Sequence, residues 1–344
     1  MASCGLVLAA CSPAYGDGVG APPSLAADAA AAAPPDAAPE LGADSEAANA
    51  DGAVLPSPQL CAGSYGSIQE VPTSQPALVE ASGVAVSKRN PGVLWAHNDS
   101  GDSARVFALG DDGSALGELS LPGVTARDFE DIETAACPDG SGPCVWIADL
   151  GNNALSRTDL AIYAVPEPPV SKAAPLGKAV ASKVWSFPVS YAPQVAIDVE
   201  ALLVAPDGSA IWVFEKVDAA TARIFTAKGP FIDAVPLVLT AHGTVSSPGI
   251  AISKGRMITG ADIHPSGTRV LLRVYTGVFE YRLSPGQTPA DLDAASRVLV
   301  TFGPLSEKQG EAVSYDASGL GIWTISEDPA AKVTQPLHHF SCLP

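Results

Sequence analysis

Basic residues are scarce in this chain of 344 residues: 19 Lys and Arg stand against 37 Asp and Glu, for a formal net charge of −18. None occurs before Lys88. A chain so short of positive charge is a poor partner for a polyanion, which argues against nucleic acid and against an anionic membrane surface. Long apolar runs are also missing, and no stretch is long enough to cross a bilayer as a helix. There is no Gly-x-Ser-x-Gly elbow, no His-Glu-x-x-His pair and no phosphate-binding glycine loop. The five His show no ligand spacing, which sets zinc aside.

What is present falls into three parts. Residues 1–11 end in Leu8-Ala-Ala-Cys11, a run that resembles the bacterial lipobox, where cleavage exposes a Cys for lipid attachment. The run is short and has no basic residues before it, so a truncated ordinary signal peptide is the alternative. Either reading makes the product exported, lipid-anchored at Cys11 to a bacterial envelope (the outer membrane) or secreted. Residues 12–58 are rich in Ala, Pro, Gly and Ser and carry seven acids, from Asp17 to Asp51. Such a segment has too few large apolar groups to offset its ordering entropy and is expected to be a disordered tether. Residues 59–344 are long enough for one all-β domain with a sizeable core. Without the seven tether acids its net charge is −11.

Cysteine spacing fits export. Cys4 and Cys11 lie in the leader, leaving four. Cys137 and Cys144 flank Pro-Asp-Gly-Ser-Gly-Pro, so a disulfide there staples a tight turn. Cys61 and Cys342 sit at the two ends of the domain.

Within the domain a pattern returns: an acidic or polar residue, a small apolar strand, a turn, then an apolar strand carrying Trp. Copies begin at Asp128, Asp198 and Gly310. Strand repeats of this length predict a single β-propeller of four-stranded blades. Period-two alternation and Gly/Pro/Asp turns mark units over Gly83–Leu121, Glu130–Val189, Glu200–Thr240 and Thr259–Phe302. A last unit over Glu311–Ser341 has only three strands, so Ser67–Val71 is expected to supply the fourth and close the ring. That closure brings Cys61 to Cys342. The count is five blades, or six if residues 60–80 or 168–198 contribute more. Trp95, Trp146, Trp212 and Trp323 all fall on second strands and read as packing between blades.

The start of the first strand and the end of the second share one end of an antiparallel blade. Those positions are polar: Asp128, Glu130, Asp198, Glu200 and Glu311 on one side, His97, Asp99, Asp149, Lys216 and Arg273 on the other. Carboxylates converging on an axis repel unless neutralised. Oxygen donors alone suit a hard, many-coordinate ion such as Ca²⁺. The candidate metal ligands are therefore Asp99, Glu130, Asp149, Asp198, Glu200 and Glu311, with Lys216 and Arg273 as internal counter-ions in the competing reading. No nucleotide or organic cofactor is expected.

His97-Asn-Asp-Ser-Gly-Asp102, Asp128-Phe-Glu-Asp-Ile132, Asp149-Leu-Gly-Asn-Asn153, Thr259-Gly-Ala-Asp262 and Gly310-Glu-Ala312 resemble a family of exported bacterial propellers, some labelled phytase-like or esterase-like. The resemblance covers about residues 78–330 and implies a hollow-axis propeller with these motifs at its mouth. Asn152 departs from it, standing where the family pattern has Asp.

Two functions remain open. One is a tethered monomer that grips a small molecule or a surface protein. The other is a metal-dependent hydrolase of phosphoesters or lactones, with His97, Asp128, Glu200, Lys216 and Arg273 as the candidate catalytic residues. Base rates favour binding, because the fold alone implies no chemistry.

Overall fold

The computed structural model describes residues 57–301, 307–328 and 330–343. The leader with Cys11, and all but the last two residues of the acidic tether, lie outside the described residues.

The regular secondary structure of the domain is almost entirely strand. After β1 (Gln69–Val71), the first unit is β2 (Ala81–Val86), β3 (Val93–Asn98), β4 (Arg105–Gly110) and β5 (Ala115–Ser120). The second is β6 (Asp131–Ala136), β7 (Pro143–Asp149), β8 (Ala161–Pro166) and, beyond the intervening β9 (Gly177–Val180), β10 (Trp185–Ala192). The third is β11 (Val199–Val204), β12 (Ala210–Glu215), β13 (Thr221–Lys228) and β14 (Leu237–Ser246). The fourth is β15 (Ile258–Ile263), β16 (Arg269–Val274), β17 (Gly277–Arg282) and β18 (Ser296–Thr301). The last is β19 (Gln309–Tyr315), β20 (Gly321–Glu327) and β21 (Leu337–Ser341).

Strand β1 pairs antiparallel with β21, Glu70 opposite His338, and completes the last unit from the other end of the chain. The opening strands β2, β6, β11, β15 and β19 pack against one another in that order, and β19 packs on β2. This closed ring of antiparallel units is a β-propeller.

Two parallel pairings were not legible beforehand. Strand β10 runs parallel to β14, joining the outer edges of the second and third units. Strand β9, within residues 168–198, lies parallel to β5 as a fifth strand on the first unit. Gly117 permits that approach: at φ +134°, a β-carbon there would lie 2.3 Å from the Gly177 carbonyl oxygen.

The core lies between units. One apolar cluster joins units one and two around Trp95, another joins two and three around Trp146, and a third joins three and four around Trp212. Trp323 packs between the last unit and the first. The two wholly buried indoles keep their N–H satisfied: Trp95 Nε1 donates to Glu167 at 3.0 Å and Trp146 Nε1 to the Ala136 carbonyl at 3.2 Å.

Ring closure is held by more than β1. Cys61 and Cys342 form a disulfide with their Cα atoms 5.6 Å apart, and Cys137–Cys144 staples the β6–β7 turn. Arg269 donates to the Cys61 carbonyl at 2.6 Å, and Tyr65 Oη to buried Glu280 at 2.8 Å. Two disulfides place the domain in an oxidising compartment, extracellular or periplasmic. Among the described residues no helix is long and apolar enough to cross a membrane.

Candidate metal centre at the mouth of the ring

One local irregularity builds the mouth. In four units the register between the opening strand and its partner slips by one residue, and the residues left over are Ser82, Glu200, Thr259 and Glu311. These are β-bulges, which re-aim a side chain at the end of a strand. The two hydroxyls bond to the neighbouring opening segment: Ser82 Oγ donates to the Glu130 carbonyl and Thr259 Oγ1 to the Gly310 carbonyl, each at 2.9 Å. The two carboxylates meet side chains of the mouth instead. Glu200 pairs with Lys216, and Glu311 accepts from Gln309 at 2.8 Å. Gln309 also donates to Glu327.

A denser group forms between the first and second units. Asp99, Asp128 and Glu130 each offer a carboxylate oxygen within 4.8 Å of the others, Glu130 buried and the other two half-buried. Two loops shape it. Asp99 opens the turn after β3, its N–H donating to the Glu80 carbonyl at 2.8 Å. Asp128 and Glu130 lie over the backbone of Gly151, where a β-carbon would stand 1.9 Å from Glu130 Oε1 and 2.4 Å from Asp128 Oδ2. Only glycine leaves room for both carboxylates at that spot.

The electrostatics follow from crowding. Burial and then the Asp99 charge push the Asp128 carboxyl up to about 6. Burial, then Asp99 and Asp128, hold Glu130 well above the usual carboxylate range, and burial raises Asp99. Glu311 is pushed up to about 8 and Glu327 to about 7, burial being the largest cause in both. Among the described residues no basic side chain forms an ion pair with Asp99, Asp128 or Glu130. The cations that act on the triple are already engaged elsewhere: Lys216 with Glu200, Arg157 with Asp149 and Lys332 with Glu80. Three hard oxygen donors without a basic partner among the described residues, half sunk in protein, form a donor set that could hold a metal ion.

The other candidates are placed as follows. Asp149 is tied down, accepting from the Asp128 N–H at 3.0 Å, the Arg127 N–H at 3.2 Å and Arg157 at 2.8 Å. Asp198 accepts the Asn152 N–H at 2.6 Å and lies close enough to Asp128 and Glu130 to raise both. Asn152 Oδ1 accepts the Ser156 and Arg157 N–H groups at 2.8 and 2.9 Å, and its amide donates to the Ile197 carbonyl at 3.1 Å. The amide thus does loop-building work that a carboxylate lacks a donor for. His97 is wholly buried, edge-on to Phe129, and burial lowers it to about 4, so it is neutral at pH 7. Arg273, expected beside Lys216 at the mouth, is instead wholly buried, paired with Glu307 and 3.4 Å from the Ala312 carbonyl.

Sequence reasoning missed a second layer of acids below the mouth. Asp131 Oδ2 accepts from Leu202 N at 2.8 Å and Ala261 N at 3.1 Å, reaching from β6 to both β11 and β15. Glu133 Oε2 accepts from Ile263 N at 3.4 Å and hydrogen-bonds to Asp262, whose carboxylate takes the Tyr315 N–H. Burial raises all three, most for Asp131 and Glu133. The axis at this level is therefore bridged by side chains, not open as the resemblance implied. The signal was a carboxylate at i and i+2 on an otherwise apolar opening strand.

No protein-family model matches the chain, and no curated protein matches it. Solved structures do. A PQQ-bound aldose sugar dehydrogenase from Streptomyces coelicolor matches at 12% identity and a TM-score of 0.43, over 79% of this chain and 97% of its own. A gluconolactonase from Xanthomonas campestris matches at 11% identity and a TM-score of 0.40, over 82% and 99%. Likeness this distant carries no chemistry; the fold stands on the strand pairing above.

Proposed function

We propose that this is an exported propeller that holds a divalent cation of the Ca²⁺ class on Asp99, Asp128 and Glu130, and uses it to bind a small anionic ligand. The observation that carries the reading is the carboxylate triple itself, drawn within 4.8 Å over Gly151 with no basic ion-pair partner among the described residues. A bound cation relieves the repulsion that raises these groups and presents a Lewis-acidic face to an anion. Asp198 stands beside the triple. Lys216, with Tyr275 5.6 Å from its ammonium, supplies further positive charge for the ligand. Binding is favoured over hydrolysis because two of the five catalytic candidates, His97 and Arg273, are sealed from solvent and Glu200 is taken up by Lys216. A lipid on Cys11 completes the proposal as an anchor, checked by the mass of the mature protein.

The test is thermal unfolding of the full chain in EDTA, then with Ca²⁺ or Mg²⁺ restored. A Ca²⁺-dependent rise in midpoint, absent in Asp128→Asn/Glu130→Gln, supports the reading; no response to either ion overturns it. Metal-dependent turnover of phosphoesters or lactones, lost in the same variant, would replace binding by hydrolysis.

A further inference from the structure

The last unit carries a second group of reactive side chains at its other end, away from the mouth. His339 and Ser341 are two residues apart on β21 and share a face of the strand, while Phe340 between them is buried. The backbone stays paired beyond the strand: Cys342 bridges to Tyr65, and the Leu343 N–H donates to the Ser64 carbonyl at 2.7 Å. His339 Nε2 meets Asp316 Oδ2 at 3.2 Å, and His339 Nδ1 meets Ser341 Oγ at 3.5 Å. Trp323, on the neighbouring β20, covers the imidazole with ring centroids 4.3 Å apart. Gly321 leaves the space in which imidazole and carboxylate meet, because a β-carbon there would strike both Asp316 Oδ2 and His339 Nε2. The carboxylate is held from its other oxygen, Oδ1, which accepts from the Ser318 N–H at 3.0 Å and the Ser318 hydroxyl at 2.6 Å. Burial would raise the Asp316 carboxyl, but the bonds from His339 and Ser318 outweigh it and keep the group ionised.

We infer that Ser341, His339 and Asp316 form an acyl-transfer centre, separate from the mouth, that takes activated esters with a small apolar acyl group. A nucleophile, a base and an orienting carboxylate in one line of contacts are the parts this chemistry needs, whatever their order in the chain. Asp316 accepts the proton carried on Nε2, which fixes the tautomer and turns the Nδ1 lone pair to the Ser341 hydroxyl. Ser341 Oγ attacks the ester carbonyl. The Oγ–C bond forms, the bond to the leaving oxygen breaks, and the Oγ proton passes through His339 Nδ1 to that oxygen. Water then attacks the acyl-serine and gives a proton to Nδ1, and the carboxylic acid leaves as the proton returns to Oγ. Leu343, two residues further on and 47% exposed, offers the apolar contact for the acyl group. The 3.5 Å separation is that of a resting pair, which tightens when substrate arrives. General-base help by itself is worth about 10²–10⁴-fold, which suits esters with good leaving groups.

The experiment uses the full chain in EDTA with two probes: turnover of p-nitrophenyl acetate, and labelling by phenylmethylsulfonyl fluoride with the modified residue located by peptide mass spectrometry. Wild type is expected to release p-nitrophenolate and to carry the label on Ser341. Ser341→Ala should lose the label and lower the turnover by about a hundredfold. His339→Gln keeps the serine but should lose both. Asp316→Asn acts through His339, so it should lower kcat and leave KM unchanged. Wild type in which Ser341 stays unlabelled overturns the inference, and so does labelling of Ser341 that persists in His339→Gln. Turnover that needs Ca²⁺ and survives Ser341→Ala also overturns it and assigns the chemistry to the mouth. Should His339→Gln fold poorly, wild type decides: Ser341 should be modified ahead of the exposed Ser114, and equal labelling of the two counts against the inference.

Discussion

Glu130 Oε1 lies 1.9 Å from where a β-carbon on Gly151 would stand. The clash is with the far end of a side chain, so an alanine there displaces the carboxylate and not the backbone. Gly151→Ala is expected to leave the melting temperature in EDTA within a few degrees of wild type, about 1 kcal/mol or less. The Ca²⁺-dependent rise should disappear. Retention of the full rise would mean that Glu130 does not need its present position to hold the ion.

Acidity should stabilise the metal-free protein. Glu311 and Glu327 have folded values of about 8 and about 7, both above the ordinary carboxylate value that applies once the chain unfolds. A group raised in this way contributes stability that is present at low pH and lost as pH rises through its folded value. The thermal midpoint in EDTA should therefore fall from pH 5 to pH 9. Ca²⁺ should flatten the decline, because the cation favours the ionised mouth. A midpoint in EDTA that climbs across this range would contradict the assignment.

Asp131 ties three opening strands, with two inter-strand N–H groups depending on one carboxylate oxygen. Asp131→Ala leaves both N–H groups buried and unmatched, at about 1–3 kcal/mol each. Chemical denaturation should register a loss of about 2–5 kcal/mol. Ser114→Ala, in an exposed turn, serves as a control expected to cost well under 1 kcal/mol.

The two disulfides should differ in weight. Cys61–Cys342 closes a separation of 281 residues and Cys137–Cys144 one of 7. In the chain-entropy account the first is worth about 5 kcal/mol and the second about 2–3 kcal/mol. Paired Cys→Ser variants, compared by denaturant midpoint, should keep that order. The reverse order would show that β1, Tyr65 and Arg269 hold the ring closed without the long-range link.

Much of this was legible from residue order because it depends on local chemistry. Alternating apolar residues between Gly, Pro and Asp turns specify hairpins, so strands such as Arg105–Gly110 and Leu337–Ser341 emerge where the pattern puts them. A three-stranded last unit demands a partner, which located β1 and with it the Cys61–Cys342 bond. The ring of polar residues at the strand ends was visible for the same reason: hairpins bring those ends together.

What the sequence determined by itself is therefore the repeat, the closure and the set of acids at one end of the blades. Only the tertiary structure decided which acids act together. Glu200 and Glu311 look alike in sequence, yet Lys216 takes one and Gln309 the other, while Asp99 from one unit joins Asp128 and Glu130 from the next. Arg273 and Lys216 both end a second strand, yet one sinks onto Glu307 and the other reaches the mouth. The reason is physical. Hairpin pairing is set by neighbours in the chain, whereas the field at a carboxylate is a sum over charges and buried surface from every blade, and that sum exists only once the ring has closed.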